Sequence, residues 1–392
     1  MHTRRDRAPS GPAASVLALS AALALSGLMA ACRGGAAADG ARAPSEVRGV
    51  EAAGLPFRVL RARGGQEIGW DAFLAEVGGA DAVCVGENHR NPHDHWAQLH
   101  LFDALSARSR AGAVTIALGM EMFQRPFQGV LDDFAARRIE EAALLSRTAW
   151  KERWGFDWSL YRPMVFMARD RGAAILALNI PRELTRKVAR RGVDKLDPAE
   201  RGKLPELVLD DAEHRAWWDA IMEEMGAGEG HGHAGASPGE DEDGEDEDGE
   251  TSKPDKPSKA GKAGKPSKAG KPSKGKPSKA AEEKAEADAR AEAAAAGERM
   301  YTAQVLWDES MAESASAWLT AGRSAGARRR QIVILAGNGH CHESAIVRRM
   351  KRRGVRAAVS VRPIIDDGEG GVAALLAAPE NDYLFVMTPP AH

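Results

Sequence analysis

Along this chain, short apolar runs alternate with longer segments in which apolar residues recur at helical spacing. The clearest run is Asp81-Ala-Val-Cys-Val-Gly-Glu-Asn-His89. It is too short for a helix and β-branched at Val83 and Val85, which predicts a strand buried on both faces of a parallel sheet. Asn91 then suits a helix N-cap and Pro92 the first helical position, leaving Glu87 and His89 in the strand-to-helix loop. In open α/β sheets such loops gather at the carboxyl ends of the strands, where ligands bind.

The alternation continues on both sides. Trp70, Phe73, Leu74 and Val77 mark a short helix before this strand, and Trp96, Leu99, Phe102 and Leu105 a helix after it. Residues 114–120 read as a second strand ending in Glu121, and residues 174–178 as a third ending in Asn179, followed by a helix that Pro181 opens. Between them, residues 126–171 are helical by pattern with a break at Trp154-Gly155. Met300 opens a helix to about residue 321, with Tyr301, Gln304 and Asp308 on one face. Residues 331–336 form a strand ending in Gly337-Asn-Gly-His340, where glycines allow a tight turn. A helix over 344–353 and strands over 355–361 and 383–387 complete the set. Strand followed repeatedly by helix predicts an α/β domain, a mainly parallel sheet flanked by helices, built from residues 66–225 and 298–392.

Composition changes the picture at two places. The formal charge of −2 over 392 residues hides opposed blocks within residues 226–297. There His231 and His233 lead into an acidic run over 239–250, then into a Lys/Pro/Ser/Gly tract with lysine at every third position from Lys253 to Lys274. Polyproline II has about three residues per turn, so this spacing aligns the ammonium groups along one edge. Nothing in the segment can build a core, which predicts a long disordered insertion within one domain. It reads as a solvated spacer or as a basic arm for anionic envelope polymers. Two histidines without further ligands are a weak metal signal.

The second place is the N-terminus, where Arg4, Arg5 and Arg7 precede an Ala/Leu stretch and Ala30-Ala31-Cys32. That is the pattern of a secretory signal over residues 1–31, with an apolar part shorter than the roughly 20 residues a spanning helix needs. A cysteine directly after the small residues points to a bacterial lipoprotein signal with lipidation at Cys32; an ordinary cleaved signal is the other reading. Residues 32–65 then tether the domain to the cell envelope, at the outer membrane. The remaining cysteines, Cys84 and Cys341, read as two small buried residues, with a single bridge between them as the other reading.

Glu87, His89, Glu121, Asn179 and His340 each follow an apolar strand, so adjacent parallel strands would gather them in one cleft, with Gln304 and Asp308 lining it. Imidazole and carboxylate suit a divalent metal held by His89, Glu121 and His340, and equally a general base with its orienting partner. There is no Gly-x-Ser-x-Gly elbow and no phosphate-binding loop, which removes the serine hydrolase and P-loop classes.

These residues resemble the ChaN-like haem-binding lipoproteins, within the superfamily of the Tiki and TraB proteins. The resemblance covers residues 80–225 and 300–390. It rests on Val85-Gly-Glu-Asn-His89, Glu121-Met-Phe123, Gln128, Leu131-Asp132, Trp150, Trp154-Gly155, Tyr161-Arg-Pro163, Leu178-Asn179, Pro181-Arg-Glu183, Gln304, Asp308-Glu-Ser-Met-Ala312 and Ala336-Gly-Asn-Gly-His340. It implies an α/β domain on a lipid anchor, haem or iron acquisition, and haem held between two protomers of a homodimer by tyrosinate ligation. Tyr161 is the position matched to that ligand and Tyr301 the second, with Arg162 lowering the phenol's pKa or meeting a propionate. The superfamily also contains metal-dependent hydrolases, and on that reading Glu87 is the catalytic base for peptide or ester bonds. A scaffold lipoprotein acting through its basic tract is a third reading.

Overall fold

The apolar runs pair edge to edge into one eight-stranded sheet. In chain order its strands are β1 (Phe57–Arg61), β2 (Glu67–Ile68), β3 (Ala82–Val85), β4 (Val114–Gln124), β5 (Ala174–Asn179), β6 (Arg329–Leu335), β7 (Ala358–Ile365) and β8 (Tyr383–Met387). Across the sheet they lie in the order β2-β1-β8-β7-β3-β6-β4-β5. Every pair from β8 to β5 is parallel, and β1 adds an antiparallel edge against β8 and β2. The structure, a computed structural model, describes residues 50, 53–110, 112, 114–227, 279–321 and 328–390. The expected signal segment, Cys32, His231, His233 and the acidic and basic blocks lie outside the described residues. Among the described residues no helix is long and apolar enough to cross a membrane.

The central strands are apolar on both faces because both are covered. Val83, Val85, Ile116, Leu118 and Met120 point into the larger core, with the helices Pro92–Arg110 and Arg162–Asp170. Their neighbours Ala82, Cys84 and Ala117, with Ile332 and Ile334, point the other way, onto Met311, Ala315 and Leu319 of a long helix and onto Ile346. The two-residue period of a strand makes this partition. Asn91 and Pro92 behave as the sequence predicts: the helix starts at Pro92, and Asn91 Oδ1 accepts from the His93 N–H at 3.0 Å.

Several boundaries move. Residues 57–61, expected in the tether, form β1, because Phe57 stacks on Phe385 and the strand fills an edge of the sheet. β4 runs on through Glu121 to Gln124, with a register irregularity between Met120 and Gln124, so Glu121 sits inside a strand instead of after one. The helix expected from Met300 is Lys279–Ala321, 43 residues, and takes in the Ala/Glu-rich end of the insertion. That stretch consists of good helix formers carrying i,i+4 pairs such as Lys284–Asp288. The helix expected over 344–353 is a π-turn, Glu343–Val347, followed by Arg348–Arg352.

Cys84 and Cys341 are joined in a disulfide across 257 residues of sequence, Cα to Cα 5.3 Å. Burial alone, the simpler sequence reading, is therefore corrected: Cys84 lies in β3 and Cys341 directly follows His340, so the bond clips the end of β3 to the turn after β6. Closing so long a loop is worth about 5 kcal/mol in the chain-entropy treatment. The double variant Cys84→Ser/Cys341→Ser, or the reduced protein, should lose several kcal/mol in urea unfolding monitored by circular dichroism; equal midpoints with and without reductant would show that the bond does not form.

Candidate functional site

β3, β6 and β4 are neighbours, so the loops leaving the carboxyl ends of β3 and β6 meet beside Glu121 on β4. The Asn338 N–H donates to the Glu87 carbonyl at 3.0 Å and the Gly337 N–H to Glu121 Oε2 at 2.7 Å. His340 Nε2 stands 3.5 Å from Glu121 Oε1. Glu87, His89, Glu121 and His340 thus come together as the strand pattern implies. The glycines act by closeness: a Cβ on Gly86 would lie 2.1 Å from Asn338 Oδ1, and one on Gly337 3.0 Å from the His89 ring. Positive φ, the expected reason, does not apply at Gly337 or Gly339.

Glu87 is buried, and its carboxylate is surrounded by partners. Oε1 lies 2.8 Å from His89 Nδ1 and accepts from the Tyr161 hydroxyl at 2.7 Å; Oε2 accepts from Gln98 Nε2 at 2.8 Å and stands 3.6 Å from His95 Nδ1. Burial alone would raise its pKa, but charge on His95 and His89 and the hydrogen bonds from His89 and Tyr161 outweigh it and hold the group down at about 2. Burial likewise opposes the charged form of His89, and Glu87 and Glu121 overcome it, so that pKa is raised. With Nδ1 on Glu87, His89 presents Nε2, which has no hydrogen-bond partner among the described residues. The edge of Trp154 and the tilted ring of Phe156 flank the imidazole at centroid distances of 4.9 and 4.8 Å.

A second dyad faces the first. His340 Nδ1 lies 2.7 Å from Asp308 Oδ1 and 3.2 Å from Gln304 Nε2. The shorter, charge-assisted contact takes the proton, and Gln304 gives its N–H to the Gly339 carbonyl at 3.0 Å. Asp308 Oδ2 stands 3.1 Å from His214 Nε2, and Arg349 Nη1 3.9 Å from the same oxygen. Against the cost of burial, Arg349 leads in keeping Asp308 far below the carboxylate range, while Glu121 and Asp308 lift His340 to about 9.

The tyrosines behave differently from what the resemblance implies. Tyr161 is fully buried, and burial with the Glu87 charge raises its pKa well above 10, so the phenol is a protonated donor to Glu87. Arg162 does not lower it: its guanidinium makes a two-pronged contact with Glu141 at 2.7 and 2.9 Å and covers Phe166. Tyr301 is buried beside His214 Nδ1 at 3.2 Å, and Tyr383, the third tyrosine of the chain, donates to Glu76. Asn179 serves its own turn, accepting from the Ile180 N–H. His89, Glu121 and His340 are gathered, yet among the described residues no three His, Cys, Asp or Glu side chains are arranged to hold a metal ion. Glu121 is occupied by Gly337 and His340.

Sequence reasoning passed over His95, Gln98, His214 and Arg349. A signal existed for the first two: they stand three apart on the helix from Pro92, polar positions beside the apolar stripe of Leu99 and Phe102. His214 and Arg349 come from segments distant in sequence and carry no local mark.

Residues 73–350 match the family described as haem-binding uptake, Tiki superfamily, ChaN. The chain belongs to that family. Among solved structures it is similar to one titled "Cofacial heme binding to ChaN of Campylobacter jejuni", with a TM-score of 0.53 and 14% identity over 85% of this chain and 97% of that one; this likeness concerns the fold. Among curated proteins, none matches. Haem, the group in the ChaN family description, needs an iron ligand and an apolar wall. The three tyrosines do not fit the first need here, since each hydroxyl is bonded inside the protein; the cleft imidazoles and the Trp154–Phe156 pair do fit.

The second dyad sets a pH dependence. His340 is ordinary near 6.5 when unfolded and about 9 when folded, so its contribution is complete below 6.5 and disappears as pH rises through 9. Melting temperature should fall over that interval, and the fall should flatten in His340→Gln; equal slopes in both proteins would show that His340 is not the responsible group.

Proposed function

We propose that this chain is a lipid-anchored haem-binding protein of the bacterial cell envelope, acting in haem and iron acquisition. The observation that carries the reading is membership of the haem-binding uptake family over residues 73–350. Two features support it. The N-terminal pattern ending at Cys32 is that of a lipoprotein signal, and a disulfide between Cys84 and Cys341 belongs in an oxidising compartment. When bound, haem supplies an iron centre; the chain supplies the ligand, the aromatic wall and the exclusion of water around them. Binding by a homodimer, with the basic tract against anionic envelope polymers, completes the proposal.

A second reading draws on a specific observation, the two carboxylate-backed imidazoles that face each other across Glu121. Such a pair suits proton transfer in hydrolysis of a peptide or ester bond. There Glu87 would orient His89 and would not itself touch substrate, because its carboxylate is buried and fully engaged.

Titration of the purified chain with haemin should give a saturable Soret band with one haem per protomer. In cells, palmitate label should enter the chain and be absent from Cys32→Ser. No Soret change, together with peptide or ester cleavage that His89→Ala abolishes, would favour hydrolysis instead.

A further inference from the structure

The haem-binding reading leaves open which atom of this chain meets the iron, and the structure narrows the choice. Every tyrosine hydroxyl is committed inside the protein, to Glu87, to His214 or to Glu76, and Tyr161 and Tyr301 are almost without exposure. Ligation by Tyr161 would require its phenol to leave Glu87, stranding a buried carboxylate without one of its four partners. The imidazoles are placed otherwise. His340 Nε2 faces Glu121, whereas His89 Nε2 has no partner among the described residues and its side chain retains 10% of its exposure.

We infer that His89 is the axial ligand this chain offers to haem iron, with Glu87 as the carboxylate behind it, Trp154 and Phe156 as the macrocycle's wall, and Arg90 as the partner of a propionate. The inference rests on the haem-binding reading above. The arrangement follows ordinary metal-site chemistry: a ligating histidine gives its other N–H to a carboxylate, which fixes the tautomer, orients the ring and raises its basicity. Glu87 meets that description at 2.8 Å, and it is itself fixed by Tyr161 and Gln98. Trp154 and Phe156 supply rings on either side of the imidazole, 5.4 Å apart. Arg90 is exposed, stands over Phe156 at 5.7 Å and has no carboxylate partner among the described residues, so its guanidinium is available to a carboxylate brought by a ligand. Tyr161 thereby becomes a positioning residue, acting on His89 through Glu87.

The test is a haemin titration of the full-length chain with absorbance, electron paramagnetic resonance and resonance Raman readouts. The wild type should show imidazole ligation and no phenolate-to-iron charge-transfer band. His89→Gly should lose that signature and regain it with added imidazole, a rescue that a merely unfolded variant would not give. Glu87→Gln should weaken binding roughly tenfold to a hundredfold, and Tyr161→Phe should keep the imidazole signature. A wild type that binds no haemin would overturn the haem-binding reading and this inference together. A wild type that binds, with an unchanged spectrum in His89→Gly, a phenolate signature lost in Tyr161→Phe, or a signature lost in His231→Ala/His233→Ala, would overturn the assignment of His89 alone.

Discussion

A carboxylate placed where water cannot reach it must be answered from every side, and Glu87 shows what that demand organises. Removing one charge from water costs several kcal/mol even after the protein relaxes. Glu87 is charged because His89, His95, Gln98 and Tyr161 converge on its two oxygens. These partners come from the loop after β3, from the helix Pro92–Arg110 and from the entry to the helix Arg162–Asp170. One buried anion therefore sets the relative position of three segments that the sheet alone would leave adjustable.

The opposite wall of the cleft is built by the same rule. Asp308 and Glu309 sit side by side on the long helix, both buried. Arg349, Arg352 and Arg353 surround Glu309, while Arg349 and His214 stand around Asp308 and leave His340 as the partner that faces the cleft. The Cys84–Cys341 bond then joins the two walls, since it links β3 to the residue after His340. Charge satisfaction fixes each imidazole, and the covalent clip fixes their separation. A site held in this way loses little freedom when a ligand arrives.

How much of this was legible depended on whether a feature is local in sequence. Strand ends, the Asn91-Pro92 helix start and the parallel sheet could be read because they depend on a few adjacent residues and on a two- or 3.6-residue period. The gathering of Glu87, His89, Glu121 and His340 followed from parallel strands sharing one carboxyl edge. What the sequence hid was which polar atom is spent on which. Tyr161 next to Arg162 suggests an acidified phenol, but the two side chains diverge: the arginine goes to Glu141 and the phenol to Glu87. The nearest charge in sequence was the wrong one because a side chain's partner is chosen in three dimensions. The disulfide was hidden for a related reason, since two cysteines 257 residues apart give no local signal. β1 was hidden because an edge strand of five residues beside a tether has too few alternations to declare itself.

The contrast between tyrosine and histidine carries the functional argument. A phenol that donates to a buried carboxylate is driven toward its neutral form, because ionising it would place two negative charges side by side. An imidazole on the same carboxylate gains basicity at its outer nitrogen, because the carboxylate stabilises positive charge on the ring. The Glu87 anion thus disables Tyr161 as a ligand and strengthens His89 as one. Chemistry at this sheet edge, whether iron ligation or proton transfer, is thereby directed to the one of these two groups that reaches the open side of the cleft.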